Sequence, residues 1–255
     1  MSAGAAIVGL LQLPFTPTIE FHQSTVSAET TTAPQIASIV YGDKANTVEA
    51  QDEIASQKAF VSSRGAYDAS LAVVEKNADE IKQTAADKGV PQDVAIGVAF
   101  LENGGSETAK SPAGAMGIYQ LMPGTARNLG LTVTKSVDER KDVSKSIDAG
   151  VSYLATNYDE LGDWGLATWA YHAGAGNVAK ALKIYASERG VTLAGVSNFA
   201  ELKNYVVSNG ITVDMLLSDP GVQQFTTKLA DDSDGYPYKV AATATLYREA
   251  QAENS

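Results

Sequence analysis

The sequence predicts an all-α globular fold. Apolar residues recur at the three- and four-residue spacing of one helix face in several segments. No segment shows the two-residue alternation of a half-buried strand, and no internal repeat is present. Hydrophobic residues make up 44% of the 255-residue chain, which is enough to build a core.

One apolar helix is predicted to begin at Pro91 and to end before Gly104, and its inner face carries Val94, Val98 and Leu101. Glu102 lies at its C-terminal end. There the helix dipole and the scarcity of water both disfavour an ionised carboxylate, so they raise its pKa. A carboxylic acid that is still protonated near neutral pH can act as a general acid.

Further helices are predicted on both sides of this one. Apolar spacing places them over 69–88, 143–161, 164–173, 177–189 and 238–252, with a short helix between Pro123 and Gly130. Asp163 and either Asp142 or Ser144 are the predicted N-caps of two of them. The segment 190–230 is predicted to add small helices that shape one side of a groove.

Composition excludes several classes of function. The net charge of −11, without any basic cluster, argues against nucleic acid as a partner. The chain has no cysteine and only His22 and His172, so neither a metal site nor a cofactor is predicted. No stretch reaches the length of a membrane span. The predicted oligomeric state is a monomer.

Three sequence blocks occur around and after Glu102. The first places Ser111 nine residues after Glu102, in a Ser-x-x-Gly-Ala segment that continues as GIYQLMPGTA over 117–126. The second is AYHAG at 170–174, and the third is YPYKVAA at 236–242. In this order they resemble the family 1 lytic transglycosylases (SLT domain), the goose-lysozyme-like enzymes of peptidoglycan cleavage. The resemblance covers about residues 80–190 and the last helix.

The resemblance implies a lysozyme-like fold and a single catalytic carboxyl group, that of Glu102. In this family the glutamate protonates the leaving oxygen of the MurNAc–GlcNAc β-1,4 bond. It then acts as a base on the 6-hydroxyl of the same muramic sugar, which closes a 1,6-anhydro ring without water. The implied substrate-binding residues are Ser111, Met116, Gly117, Tyr119, Gln120, Tyr171, His172 and Tyr236.

Several of these residues also have a purely structural interpretation. Tyr171 is expected to orient Glu102 or to be an ordinary core tyrosine, and Tyr119 would offer a sugar a stacking face. Gly117 would admit the sugar or simply make a turn. His172 stands where the family has Asn, and a simple polar replacement is the favoured interpretation. Asn103 stands where the family usually has Ser.

The residues themselves leave the reaction type open. Glu107 is the carboxylate nearest to Glu102 in sequence, but it is best interpreted as a solvated loop charge. The lack of a clear second carboxylate agrees with the single-acid mechanism. The alternatives are a hydrolytic lysozyme-like glycosidase and an inactive glycan-binding module of a secretion, conjugation or phage apparatus.

The predicted domain organisation has three parts. Residues 1–28 are a signal peptide or a partly disordered N-terminal arm, because an apolar run precedes a small-residue cleavage site but no basic residue comes before Lys44. Residues 29–66 are a linker with a short helix. Residues 67–255 are the SLT domain, with 190–230 as an inserted helical segment. The predicted partner is peptidoglycan, and the predicted location is extracellular, in the cell envelope or on a virion.

Overall fold

The computed structural model describes residues 34–195, 197–229 and 233–253. Within these ranges the regular structure is helical, with three isolated β-bridges and no strand. The all-α fold class is therefore confirmed. The predicted signal peptide or arm at 1–28 lies outside the described residues. No helix within the described ranges is both long enough and apolar enough to cross a membrane.

The described part of the chain contains twelve α-helices and two short 3₁₀ turns. The helices are α1 (Pro34–Tyr41), α2 (Val48–Ser62), α3 (Tyr67–Asp87), α4 (Gln92–Glu102), α5 (Pro123–Asn128), α6 (Val143–Leu161), α7 (Trp164–Ala173), α8 (Ala175–Glu188), α9 (Phe199–Asn209), α10 (Val213–Leu217), α11 (Pro220–Thr226) and α12 (Tyr236–Glu253).

Helix α4 is the central element, because residues 94–100 are all buried. It packs mainly against α12 and α3, and α7 also touches it. The approach of α12 is close: the Thr243 hydroxyl donates a hydrogen bond of 2.8 Å to the carbonyl oxygen of Gly97. A glycine at position 97 permits this approach, because a Cβ there would lie 2.6 Å from the carbonyl oxygen of Val240.

The predicted caps are present. The Asp142 side chain accepts from the backbone N–H of Lys145, and the Asp163 side chain accepts from that of Leu166. Both carboxylates satisfy N–H groups that have no partner inside the helix. Helix α6 ends at Leu161, and its C-cap residue, Gly162, adopts a left-handed conformation.

The segment 29–66 differs from the predicted linker. From residue 34 onward it forms α1, a 3₁₀ turn (Gly42–Asn46) and α2. Ile36 and Val40 of α1 are buried, as is Ile54 of α2, and α2 packs along α12. The linker interpretation is wrong here. A few apolar residues on one face are enough to stabilise a helix when it packs against another surface, which α12 supplies. The short helix predicted within the segment corresponds to α2.

The segment 190–230 contains the helices α9, α10 and α11, in agreement with the prediction that it adds small helices. Helix α9 packs on α6, and α11 packs on α8. Helix α9 has 11 residues. Its contribution to a groove stays a prediction.

The close contact between α4 and α12 gives a testable expectation. Replacing Gly97 by Ala should lower the free energy of unfolding by about 1–3 kcal/mol, because backbone atoms of α12 must shift to admit the methyl group. Urea denaturation would measure this change. Gly124→Ala in α5 is the matched control, since a Cβ there meets nothing within 4 Å. Equal stability of both variants would contradict the expectation.

Candidate active site

Glu102 ends helix α4, and its carboxylate accepts a hydrogen bond of 2.7 Å from the Tyr236 hydroxyl. The side chain is partly buried. Burial raises the pKa of Glu102 to about 7, against smaller lowering effects of the Tyr236 bond and of Arg64. The predicted direction of this pKa shift therefore matches the structure, and loss of hydration is its main physical cause.

Tyr236 reaches Glu102 because α12 lies along α4. It is the first residue of α12 and is only 4% exposed. Its ring stacks on that of His172 at the end of α7, with 4.5 Å between the ring centroids and 14° between the planes. Helices α4, α7 and α12 thus bring Glu102, His172 and Tyr236 into one cluster.

Tyr171 does not bond Glu102, in contrast to the orienting role considered from the sequence. Its hydroxyl donates a hydrogen bond of 2.6 Å to the carbonyl oxygen of Tyr119. The negative charge of Glu102 contributes, after burial, to raising the pKa of Tyr171, so the phenol and the carboxylate are near each other. Tyr236 makes the contact to Glu102 instead.

Tyr119 cannot offer a stacking face to a sugar, because its side chain is fully buried. Its hydroxyl donates to the carbonyl oxygen of Ala95 in α4 at 3.0 Å, and its ring packs over Gly150 of α6. The predicted binding role is therefore wrong for this residue in the described structure. Met116 is also buried, and it forms isolated β-bridges with Lys110 and Leu121.

The glycine-rich loop that follows α4 is held by its own side chains. Gln120 has a left-handed backbone (φ 44°), and its amide nitrogen donates to the carbonyl oxygens of Ala109 and Gly117. The Ser111 hydroxyl oxygen accepts from the backbone N–H of Ala115 at 3.0 Å. Both predicted binding residues therefore shape the loop, and each is only partly buried.

Arg140 fixes this loop through bonds to its carbonyl oxygens, a role that the sequence did not predict. Its guanidinium donates to the carbonyl oxygens of Gly114 and Leu121 at 2.8 Å each, and it forms an ion pair of 2.7 Å with Asp138. A Cβ on Gly117 would lie 2.1 Å from the carbonyl oxygen of Arg140. The turn interpretation of Gly117 is thus supported. The sequence around Arg140 carries no signal beyond a charged connection.

Asn103 fixes the end of α4. It is fully buried, and its amide donates to the carbonyl oxygens of Ser70 and Ala99, at 3.0 and 2.9 Å. Its side-chain oxygen accepts from the N–H of Gly105 at 2.7 Å. Asn103 therefore anchors the turn directly beside Glu102 and links it to α3.

The carboxylate of Glu107 is bound by residues of α3. Lys76 lies 2.9 Å from its carboxylate, and Asn77 donates to it at 2.8 Å. These bonds, that of Asn77 first, lower the pKa of Glu107. Glu107 is thus an ion-paired loop carboxylate.

Comparison with known proteins identifies the segment that holds this cluster. Residues 79–191 match the family described as the transglycosylase SLT domain. This segment of the chain is similar to the SLT domain, which confirms the resemblance seen in the first two sequence blocks. Glu102, Ser111, Gln120 and His172 fall inside the matched segment, whereas Tyr236 lies beyond it.

Proteins similar to the chain include a bacterial lytic murein transglycosylase and a phage transglycosylase. The membrane-bound lytic murein transglycosylase D of Escherichia coli (strain K12) is 36% identical over 97 residues, which is 38% of this chain and 21% of that protein. The transglycosylase of Enterobacteria phage PRD1 is 40% identical over 78 residues, which is 31% of this chain and 27% of that protein. The chain therefore spans between about a fifth and just over a quarter of the length of these relatives.

A solved structure is also similar to the chain. The 70-kDa soluble lytic transglycosylase of Escherichia coli is superposed with a TM-score of 0.47 at 23% identity. The superposition covers 68% of this chain and 24% of that one.

The raised pKa of Glu102 has a measurable cost in stability. A group whose pKa is higher in the folded state binds more protons there, so stability falls as the pH rises from its unfolded pKa to about 7. The Glu102→Gln variant does not bear this cost. Its free energy of unfolding, relative to that of wild type, should therefore rise by on the order of 2–3 kcal/mol from about pH 4 to about pH 8. Thermal or urea denaturation at both pH values measures this difference.

Glu107→Gln is the control with the opposite sign. In wild type, the pKa of Glu107 is lowered in the folded state. The ionised carboxylate therefore stabilises the protein at neutral pH, and this contribution is lost as the pH falls. The variant should be less stable than wild type at neutral pH, and the difference should shrink towards acid. The same pH dependence for both variants would contradict the assigned environments.

Proposed function

We propose that this protein is a peptidoglycan lytic transglycosylase that cleaves the MurNAc–GlcNAc β-1,4 bond and forms a 1,6-anhydroMurNAc end. The proposal depends chiefly on Glu102, a carboxyl group with a pKa of about 7 that is bonded to a buried tyrosine hydroxyl. The SLT domain and the lytic transglycosylases among its relatives support the substrate class.

In the proposed reaction, protonated Glu102 gives its proton to the glycosidic oxygen, and the bond to the muramic carbon breaks. The glutamate is now ionised. The Tyr236 hydroxyl, which donates to Oε1, stabilises this charge. Glu102 then takes the proton of the 6-hydroxyl as that oxygen closes the anhydro ring. The carboxyl group is thereby restored, and no water is consumed.

The surroundings of Glu102 support a single-carboxyl mechanism. Glu107 is engaged by Lys76 and Asn77, and Asp163 caps α7. These structural contacts engage both carboxylates, which agrees with a mechanism that uses Glu102 alone. Hydrolysis on the same scaffold is the alternative, in which Glu102 would activate water instead of the 6-hydroxyl.

We also propose that Ser111, Gln120 and His172 face the glycan. The Ser111 hydroxyl accepts a bond inside the loop and still has a proton to donate. Gln120 uses its amide nitrogen inside the loop, and its carbonyl oxygen is of the type that accepts from an N-acetyl N–H. The loop bonds would hold both side chains in fixed positions before substrate arrives.

The activity is tested with purified peptidoglycan sacculi and mass spectrometry of the released fragments. Wild type should release muropeptides that lack one water relative to hydrolysis products. Glu102→Gln should be slower by at least about 100-fold, because the general acid is lost. Glu107→Gln should retain activity, since that carboxylate is bound elsewhere.

Each other outcome of this test has a definite meaning. Products that have gained water would identify a hydrolase. An equal rate for wild type and Glu102→Gln would reject the assignment of the acid. Binding of sacculi without any release by wild type would favour a glycan-binding module.

The pH profile tests the role of Tyr236. Because the general acid must be protonated, activity should fall as the pH rises through the pKa of Glu102, about 7. The Tyr236 bond lowers this pKa, so Tyr236→Phe should move the decline to higher pH and reduce the maximal rate. Tyr205→Phe, in α9, is the control. An unchanged profile in Tyr236→Phe would contradict the role.

We propose that the protein acts outside the cell or in the cell envelope, where peptidoglycan is accessible. A virion-associated location is the alternative, and a phage transglycosylase is among the relatives.

A further inference from the structure

A cavity of about 590 Å³ lies between the N-terminal helices and the start of α12. Residues from the 3₁₀ turn, α2, α10 and α12 line it, and Glu102 is not one of the described residues that do so. Its volume falls in the range of small-molecule sites, about 300–1,000 Å³. The proposed reaction makes no use of this cavity.

The cavity wall is acidic. Glu49, Glu53, Asp214 and Asp234 contribute carboxylates, and Lys44 contributes the one cation among the described lining residues. The side chain of Asp214 is only 12% exposed, whereas that of Lys44 is 59% exposed. A largely buried carboxylate in the wall of an acidic cavity favours a positively charged ligand.

An aromatic pair forms another part of the wall. The rings of Tyr41 and Tyr238 lie with their centroids 5.4 Å apart and their planes at 38°. Tyrosine faces attract organic cations and also cover their aliphatic carbon atoms. The Tyr238 hydroxyl lies 3.4 Å from Asp214 Oδ1, so the rings and the carboxylate belong to one surface.

Tyr41 provides a second, independent observation. It is 6% exposed, and its hydroxyl is enclosed without a hydrogen-bond partner in the described part of the chain. Burial, followed by the charges of Glu53 and Asp214, raises its pKa, so the hydroxyl lies near these carboxylates of the cavity. A buried hydroxyl without a partner is costly, so this part of the cavity wall has a hydrogen-bonding group that the described residues do not satisfy.

The chemistry of the ligand is indicated by the group that already contacts Asp214. The ammonium of Lys44 lies 3.1 Å from Asp214 Oδ2, although it comes from 170 residues away and from an exposed side chain. In contrast, no group of three or more potential metal ligands among the described residues converges to hold a metal ion. Carboxylates spread around tyrosine rings suit an organic ammonium better than a metal ion.

We propose that this cavity binds a small organic cation whose primary ammonium group bonds Asp214 and whose aliphatic part lies against Tyr41 and Tyr238. When no ligand is bound, the ammonium of Lys44 bonds Oδ2 of Asp214, the oxygen that the ammonium of the ligand would bond. A ligand therefore displaces it, which the exposed position of Lys44 permits. The site is separate from the proposed glycan reaction, and its test measures binding only.

Isothermal titration calorimetry of the full chain with n-pentylammonium chloride tests this proposal, with 1-pentanol as the uncharged probe and calcium chloride as the metal probe. Wild type should bind pentylammonium at millimolar concentration and should bind neither of the other two. Asp214→Asn should bind it about tenfold more weakly or worse, the size expected for a lost charged hydrogen bond. Asp148→Asn, an exposed carboxylate paired with Lys88, should bind as wild type does.

A second variant keeps the proposal testable if Asp214→Asn fails to fold. Lys44→Met removes the competing ammonium from an exposed side chain, so it should bind pentylammonium several-fold more tightly. The proposal is overturned if wild type does not bind pentylammonium, if pentanol binds equally well, or if calcium binds and competes. Weaker or unchanged binding in Lys44→Met would overturn it as well.

Discussion

The contact between the end of α4 and the first turn of α12 determines the properties of the site. It shields the Glu102 carboxylate from part of the surrounding water, and it supplies the phenolic hydroxyl of Tyr236 at 2.7 Å. Burial favours the protonated acid, whereas the hydrogen bond favours the ionised form. Their balance leaves the pKa of Glu102 near 7, where the group can both give and take a proton.

Two surrounding features keep this contact in place. The close approach at Gly97 brings α12 against α4, and buried Asn103 fixes the turn that follows Glu102. Arg140 holds the adjacent loop through two of its carbonyl oxygens. The acid is thus carried by a buried helix, and the loop beside it is held by side-chain bonds to its backbone that do not depend on substrate.

The sequence predicted the features that depend on local pattern, namely the apolar helices, the Asp142 and Asp163 caps and the raised pKa of Glu102. It did not predict which tyrosine reaches that carboxylate. Tyr171 and Tyr236 both belong to recognisable blocks, but their bonds depend on how α7 and α12 pack. The same limit applies to Tyr119, whose burial follows from the space above Gly150. Helix α1 was missed because its buried face exists only against other helices.

Glu102 and Tyr236 are separated by 134 positions along the chain. A polypeptide still emerging from the ribosome therefore holds the acid long before its phenolic partner has been synthesised. The tuned carboxyl group is consequently a late product of folding, because it requires a contact between distant segments. Nascent or partly unfolded chains carry an ordinary solvated glutamate at this position.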